Sequence, residues 1–312
     1  MSEAALLEEA RADLEHAAGK KPVAGVPFSG MTTIGCGGPA GLVIEADSAA
    51  GLAATLETAA AHRLPWLVTG LGSNLLVADA GWPGLVIRLT GSLKCCRTRG
   101  NLLDAGGGAS LPKAASVAAA AGLSGLEPLA GIPGTAGGAV AMNAGAFGAS
   151  IGDLVSEVEI CRAGKSFMSP PGPLDFGYRS AALPPDSVVS RVILALSRSS
   201  REAVSARMRD FRSRREASQP VGKKTCGSVF KNPPGARSAG MLLDQSGCKG
   251  MSRGAAQVSE SHANFIVNNG GAAAADVMEL INNCRRRVYD RFGISLELEV
   301  RLLGGLRPEP LP

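Results

Sequence analysis

The sequence predicts a mixed helix-and-sheet protein, α/β or α+β, built as two domains. The chain has 312 residues, and about 150 residues is a common size for one folded unit. Hydrophobic residues make up 45% and charged residues 19%, so ordinary apolar cores can form. Aromatic residues are only 4% against 41 glycines, which favours cores of Ala, Val, Leu and Ile joined by glycine-rich turns. The apolar pattern also switches repeatedly between short runs and helical spacing, as expected where strands and helices alternate.

Residues 2–18 are acidic and carry Leu6, Leu7 and Leu14 in a helical pattern, without the basic start and apolar centre of a signal peptide. Residues 1–25 are therefore read as an N-terminal extension. Gly38 to Glu45 is a turn entering a short strand (Leu42, Val43, Ile44). Ser48 is the expected N-cap of a helix running to His62, and Leu64 to Val68 is a strand, giving a β-α-β start. Leu75-Leu76-Val77 and Leu85-Val86-Ile87 are short strands around the turn Asp79-Ala80-Gly81. Leu111 to Ala121 is an alanine-rich helix. Leu154 to Cys161 and Ser187 to Leu196 are strands, with the proline-rich loop Ser169 to Pro173 between them.

The character changes around residue 200, where Arg201 to Ala217 forms a charged helix. The expected domains are accordingly 26–200 and 201–312. The second begins with a turn at Gly227 to Pro233, followed by the segments Met241 to Ser246, Ala255 to Ser259 and the strand-like Asn264 to Asn268. Ala274 to Phe292 is a long helix with Val277, Leu280, Ile281, Cys284 and Val288 on one side, ended by Gly293. A last strand, Leu296 to Leu303, places Glu297 and Glu299 on one face because strand side chains alternate.

A net charge of +5 is mild and spread along the chain, which is no nucleic-acid footprint. Its densest stretch, Arg207 to Arg215, suits a helix with a solvated basic face. Seven cysteines without a Cys-x-x-Cys pair and three dispersed histidines, His16, His62 and His262, predict neither disulfides nor a metal site. The apolar run Ala114 to Leu123 is too short to span a membrane. A cytoplasmic protein is expected, with no nucleic-acid or membrane partner.

The densest chemical signal is the uncharged tract Gly131 to Gly145, with five glycines, Pro133, Thr135 and Asn143. Glycines let a backbone approach a ligand closely, and uncovered amides can cradle phosphate oxygens. A second cluster, Gly70-Leu71-Gly72-Ser73-Asn74-Leu75-Leu76, also follows an apolar run. It lacks the third glycine and the helix of a dinucleotide fingerprint, so a Rossmann fold is disfavoured. Ser228 lies in a turn where serine usually caps its own backbone, and no Gly-x-Ser-x-Gly elbow surrounds it. Glu299 on an apolar strand is a candidate buried acid, with Glu297 competing; each alone is more often a solvated edge residue. Arg179 can grip a carboxylate through its planar fork, although a surface arginine is the commoner case.

As an ordered set these segments resemble the UDP-N-acetylenolpyruvoylglucosamine reductase family. The resemblance is carried by Thr32-Thr33-x-x-x-Gly37-Gly38-Pro39-Ala40, Gly72-Ser73-Asn74-Leu75-Leu76, Gly122 to Glu127 and the Gly131 to Gly145 tract. It continues through Tyr178-Arg179-Ser180, Gly227-Ser228-x-Phe230-Lys231-Asn232-Pro233 and Ala239-Gly240-x-Leu242-Leu243-Asp244. Ala256 to Ser259, His262-Ala263-Asn264-Phe265-x-Val267-Asn268 and Leu296-Glu297-x-Glu299-Val300 complete it. The chain looks like the subgroup without an extra tyrosine-bearing loop. It departs at Leu71, where the family usually has glycine, and at Gly35, where arginine is common.

The resemblance implies an α+β fold: an FAD-binding domain of the vanillyl-alcohol-oxidase type, followed by a smaller α/β substrate-binding domain. It implies that FAD is held by Gly70, Gly72, Ser73, Asn74, Leu75, Gly131, Pro133, Gly134, Thr135, Gly138 and Asn143. NADPH would reduce the flavin, and hydride would then pass to the vinyl CH2 carbon of UDP-N-acetylglucosamine enolpyruvate. By the same resemblance Arg179 and Glu299 stabilise the enolate-like intermediate and Ser228 donates the quenching proton. Lys231, close to Ser228 in sequence, would lower the cost of an alkoxide. Tyr178, Lys231, Asn232 and Gln257 are implied as contacts to substrate or NADPH. A different flavin-dependent oxidoreductase on the same fold and a non-catalytic binding protein are the competing readings.

Overall fold

Helix boundaries follow the capping chemistry written in the sequence. In the computed structural model, which describes residues Glu3–Gly235 and Arg237–Leu311, Ser48 adopts an extended conformation, and its hydroxyl accepts the Gly51 N–H at 3.2 Å. That satisfies one of the donors left over at a helix start, and the helix Ala49–Ala61 follows. Ser110 starts Leu111–Ala120 in the same way, and Ser238 starts Ala239–Gln245. The N-terminal segment forms two helices, Glu3–Glu9 and Arg11–Ala18, rather than one. Met1, Ser2, Ala236 and Pro312 lie outside the described residues, so the expected start of the first helix at Ser2 does too.

Contacts divide the chain into two units. The first comprises Met1–Ala24, Gly41–Leu71 and Gly84–Ser213. One of its sheets has the strands Val23–Ala24, Ala40–Ala46, Trp82–Leu89 and Trp66–Thr69, in that spatial order. The expected β-α-β start is present in sequence, but Trp82–Leu89 lies between its two strands. Leu85, Val86 and Ile87 are all wholly buried, and a strand apolar on both faces belongs in the interior of a sheet. The helices Arg11–Ala18 and Ala49–Ala61 share its core through Leu14, Leu52 and Leu56, packed with Leu42, Ile44, Leu85 and Ile87.

The second sheet of this unit is antiparallel throughout, in the order Lys165–Ser169, Val155–Arg162, Val188–Ala195, Leu102–Gly106 and Cys96–Arg99. Its two edge strands were not expected from periodicity, because polar and charged residues dominate Lys165–Ser169 and Cys96–Arg99. Sheet edges tolerate such residues, and they discourage pairing with other chains. The helices Leu111–Ala120 and Ala136–Ala141 contribute Leu111, Ala114, Ala139 and Val140 to the core that also holds Leu103, Val158 and Val192.

The second unit comprises Gly25–Ala40, Gly72–Pro83 and Arg214–Pro312. Residues 25–40 and 72–83 precede the composition change near 200 yet group with the C-terminal part. The physical reason is direct pairing: Leu75–Val77 runs parallel to Arg301–Leu303, and Ile34 and Cys36 lie in one core with Phe230 and Val258. An antiparallel sheet of Lys224–Ser228, Phe265–Asn268, Ala256–Val258 and Ser252–Arg253 is joined by the helix Ala274–Phe292. That helix buries Val277, Leu280, Ile281, Cys284 and Val288 and ends at Gly293 with φ 66°, as its pattern predicts. Its N-terminus is closed from far away. Both Asp79 carboxylate oxygens accept backbone N–H groups, from Ala274 at 2.7 Å and Ala275 at 3.0 Å.

Candidate active site

In the first unit the glycine tract is part loop and part helix. Thr135 is extended, its hydroxyl accepts the Gly138 N–H at 3.3 Å, and the short helix Ala136–Ala141 follows. Not all of the tract's amides are open to a ligand. Ala136 donates to Ala109 and Gly137 to Gly107, both at 2.8 Å. A Cβ on Gly137 would lie 2.7 Å from the Val189 carbonyl oxygen, so this glycine serves close packing. Gly131, Pro133 and Gly138 remain exposed.

The two glycine clusters meet in this unit at Gly70 and Thr135. A Cβ on Gly70 would fall 2.6 Å from Thr135 Cγ2 and 2.7 Å from its hydroxyl oxygen. Directly before Gly70, the buried Thr69 hydroxyl has no hydrogen-bond partner among the described residues. Exposed backbone at Gly70, Gly131 and Gly138, with no bulky side chain between Gly70 and Thr135, makes a surface on which a flat, phosphate-bearing group can lie. The residues present therefore fit FAD. Leu71, at the family's usual glycine, is 44% exposed and does not fill this contact.

The end of the tract is tied to Arg179. Asn143 is buried with φ 38°, a left-handed conformation that asparagine tolerates better than most residues. Its Oδ1 accepts the Gly152 N–H at 3.0 Å, and its Nδ2 donates to the Gly177 carbonyl at 2.8 Å. Gly177 and Ser180 bond to one another through their backbones and close a turn with Tyr178 and Arg179 at its corners. Arg179, at φ 54°, donates from Nη1 to the Gly145 carbonyl at 3.1 Å, and its guanidinium lies 5.4 Å from the Tyr178 ring centre. Tyr178 is 56% exposed.

In the second unit Ser228 ends the strand Lys224–Ser228, just past Gly227 at φ 76°, where the ladder with Phe265–Asn268 is irregular. The chain beyond is held from two sides. On one, the buried Asn264 side chain accepts the Phe230 N–H at 2.9 Å and donates to the Phe230 carbonyl at 2.8 Å. On the other, Glu299 donates its N–H to the Val229 carbonyl at 2.8 Å. The Asn74 side chain donates to the Glu299 carbonyl at 3.0 Å, and the Asn74 carbonyl accepts the Arg301 N–H at 3.0 Å. A Cβ on Gly227 would lie 3.4 Å from the Ser73 carbonyl oxygen. Ser73, Asn74 and Glu299 are thus placed against the chain that flanks Ser228, by backbone contacts and by the Asn74 side chain. Asn264 was a motif residue without an assigned role; a buried amide amid an apolar run is the signal that marks it.

The expected last strand is shorter than its alternation suggests. Only Arg301–Leu303 pairs as a strand; residues 296–300 meet the Ser228 segment through the isolated bridge Phe230 to Leu298 and through backbone bonds from Glu299 to Val229 and from Lys231 to Glu297. Glu297 has a side chain 78% exposed and pairs with Lys231 at 3.4 Å, whereas Glu299 is half-buried. This separates the two acids: Glu297 is the solvated one. The Lys231 ammonium is accordingly engaged with Glu297, and no hydrogen bond joins it to Ser228 among the described residues. Asn232 accepts the Ala239 N–H at 2.9 Å, and Gln257 is tied to Gly250 and Asn269.

The arginine-rich helix Arg201–Ser218 is not only a solvated face. Arg207 donates from Nε to Glu127 at 2.9 Å and from Nη2 to the Ser124 hydroxyl at 3.1 Å. Glu127 is 3% exposed and lies just upstream of the glycine tract. Burial alone would raise its pKa; the Gly125 and Glu127 backbone N–H groups, the Ser124 hydroxyl and the Arg207 guanidinium outweigh that and lower it. Among the described residues no cluster of His, Cys, Asp and Glu is arranged to hold a metal, and no helix is long and apolar enough to cross a membrane.

Comparison with known proteins finds similarity at the level of family models, of whole sequences and of a solved structure. Residues 219–303 match the family model for the UDP-N-acetylenolpyruvoylglucosamine reductase C-terminal domain, and residues 40–164 match an FAD binding domain. The chain is 44% identical over 280 residues to UDP-N-acetylenolpyruvoylglucosamine reductase 2 of Symbiobacterium thermophilum, covering 89% of this chain and 91% of that one. It is 45% identical over 280 residues to UDP-N-acetylenolpyruvoylglucosamine reductase of Heliobacterium modesticaldum, covering 89% of each. The crystal structure of UDP-N-acetylenolpyruvylglucosamine reductase (MurB) from Thermus caldophilus matches with a TM-score of 0.80 at 40% identity, over 91% of this chain and 100% of that one.

Proposed function

The chain belongs to the UDP-N-acetylenolpyruvoylglucosamine reductase family, and from that premise we propose how its own residues carry the reaction. It is an FAD-dependent oxidoreductase that reduces UDP-N-acetylglucosamine enolpyruvate to UDP-N-acetylmuramate in peptidoglycan precursor synthesis. Bound FAD, reduced by NADPH, supplies the hydride. The residues assigned to hold that cofactor are Gly70, Gly72, Ser73, Asn74, Leu75, Gly131, Pro133, Gly134, Thr135 and Gly138. The meeting of Gly70 with Thr135 supports this reading.

Addition of hydride to the vinyl CH2 carbon leaves an electron pair on the neighbouring carbon, delocalised into its carboxylate. Such charge needs donors already in place, because donors that reorganise during the reaction stabilise it less. Arg179 meets that need with a planar fork suited to a carboxylate, oriented by its bond to the Gly145 carbonyl. Glu299, in its protonated form, donates a hydrogen bond to the same developing charge. Ser228 gives its hydroxyl proton to the carbon, and solvent restores it. The product thus gains one hydride and one proton, and NADPH is the two-electron donor. Tyr178, Lys231, Asn232 and Gln257 bind substrate or NADPH. The location is cytoplasmic, and the seven free cysteines fit a reducing compartment.

The observation that carries the assignment is the backbone link between the Ser228 segment and Glu299 through Val229 and Phe230. An oxidase on the same FAD fold has no need of the matched segment 219–303. The test is to time the two half-reactions separately in flavin-loaded Ser228→Ala. Flavin reduction by NADPH stays near the wild-type rate, while reoxidation by the enolpyruvyl sugar nucleotide slows by about 100-fold or more. Equal loss in both halves sinks the proton-donor role.

A further inference from the structure

We propose that Asn143 is a positioning residue for Arg179. Its side-chain amide is the clamp that fixes the Tyr178–Arg179 turn against the end of the glycine tract. The inference deepens the reading above and rests on Arg179 stabilising the developing charge. Resemblance alone makes Asn143 a flavin contact, but both ends of its amide bind protein backbone. Oδ1 accepts from Gly152, and Nδ2 donates to Gly177, the residue that opens the turn.

Three features make this a clamp rather than an incidental contact. Asn143 is 8% exposed, so its amide bonds are little weakened by competing water. The turn it holds carries Arg179 at φ 54°, a conformation that costs free energy for an L-residue and persists only where its surroundings enforce it. The clamp also acts on the same short stretch that the guanidinium itself grips. Arg179 Nη1 reaches the Gly145 carbonyl at 3.1 Å, and a Cβ on Gly145 would come within 3.4 Å of that nitrogen. The side chain at 143 and the guanidinium at 179 therefore tie the tract and the turn together at two points. Without the first tie, the second no longer fixes where the fork points.

Two variants separate the ends of the clamp. Asn143→Gly removes both bonds while tolerating the left-handed backbone. Asn143→Asp keeps the acceptor for Gly152 but cannot donate to Gly177 when ionised. Both are assayed as FAD-loaded enzyme, with the half-reactions timed separately and alongside Arg179→Ala and the Asn143→Gly/Arg179→Ala double variant. Displacement of a reacting group by about 1 Å costs on the order of 100-fold, so each single variant slows substrate reduction by about 10- to 100-fold. Reduction of the flavin by NADPH changes by less than about threefold, against the 10- to 100-fold loss in the other half. The double variant is no slower than Arg179→Ala alone, within the roughly twofold scatter of such cycles.

Multiplying losses in the double variant overturn the proposal. So does an Asn143→Asp enzyme as fast as wild type, which would leave the bond to Gly177 without consequence. Loss of FAD from the variants with equal slowing of both halves makes Asn143 a cofactor contact and likewise overturns it. If Arg179→Ala itself reduces substrate at the wild-type rate, the charge-stabilising role of Arg179 fails, and the positioning role falls with it. That outcome is distinct from the others, because it is read in a variant where Asn143 is intact.

Discussion

Glu127 is the buried charge on which the approach to the glycine tract depends, and replacing it with glutamine tests that dependence. Its carboxylate accepts from the Ser124 hydroxyl at 2.9 Å, the Gly125 N–H at 2.5 Å and Arg207 Nε at 2.9 Å, besides its own backbone N–H. Glutamine keeps the volume and one acceptor oxygen, but turns the other into a donor facing a donor. One charge-assisted bond is lost, at about 1.5–3 kcal/mol, together with a screened attraction of about 0–1 kcal/mol to a guanidinium that is partly in water. The expected loss is therefore about 1.5–4 kcal/mol, which for a unit of this size lowers the melting midpoint by about 3–16 °C near neutral pH. Calorimetry of the FAD-loaded protein measures it.

The same variant carries a signed pH dependence. Interactions in the folded protein hold Glu127 below its ordinary 4.5, and the unfolded chain returns it there. Its stabilising contribution is thus fully present above pH 4.5 and is lost as pH falls through the folded value. The gap in melting midpoint between wild type and Glu127→Gln is constant from neutral pH down to that range and narrows below it. A variant that melts within about 1 °C of wild type, or a gap that does not narrow on acidification, refutes the reasoning.

Two further substitutions probe the frame of the site. Gly70→Ala drives a methyl into Thr135, an overpacking cost of about 1–3 kcal/mol, and should weaken FAD retention measured by flavin absorbance after gel filtration. Adding Thr135→Ala removes the obstructing atoms and restores part of the retention; no recovery would mean that the contact is not what limits the loop. Asp79→Ala leaves two N–H groups of the helix Ala274–Phe292 without their carboxylate and should cost about 1–2 kcal/mol in denaturant unfolding. Asp79→Asn recovers part of that, whereas an unchanged unfolding midpoint in the alanine variant rules out the cap.

Where an interaction is local, it was legible in the sequence. Ser48 and Gly293 mark helix ends because caps act within a few residues. The stripe from Val277 to Val288 reads as a buried face because helical periodicity is fixed by backbone geometry. The ordered motif blocks, with the glycine-rich tract among them, were enough to point to the family, the flavin and the three residues Arg179, Ser228 and Glu299. Local patterns misled where pairing overrides periodicity. Leu296 to Leu303 alternates like one strand, yet only its end finds a strand partner, in Leu75–Val77.

Tertiary structure alone decided the long-range polar contacts in and around the candidate site. Asp79 caps a helix 195 residues further along the chain, and Asn74 reaches Glu299 across 225. Glu127 is bound by an arginine that composition assigned to a solvated face, and Lys231 is engaged by Glu297 rather than by its sequence neighbour Ser228. Asn143 turns its amide toward the protein backbone. Each is a single hydrogen-bonding side chain meeting a distant backbone or partner, and such a contact leaves no periodicity or composition in the sequence around it. The sequence by itself determined the family and the kind of chemistry, and it named the residues proposed to perform it. Their orientation follows from long-range polar contacts that exist only once the chain has folded.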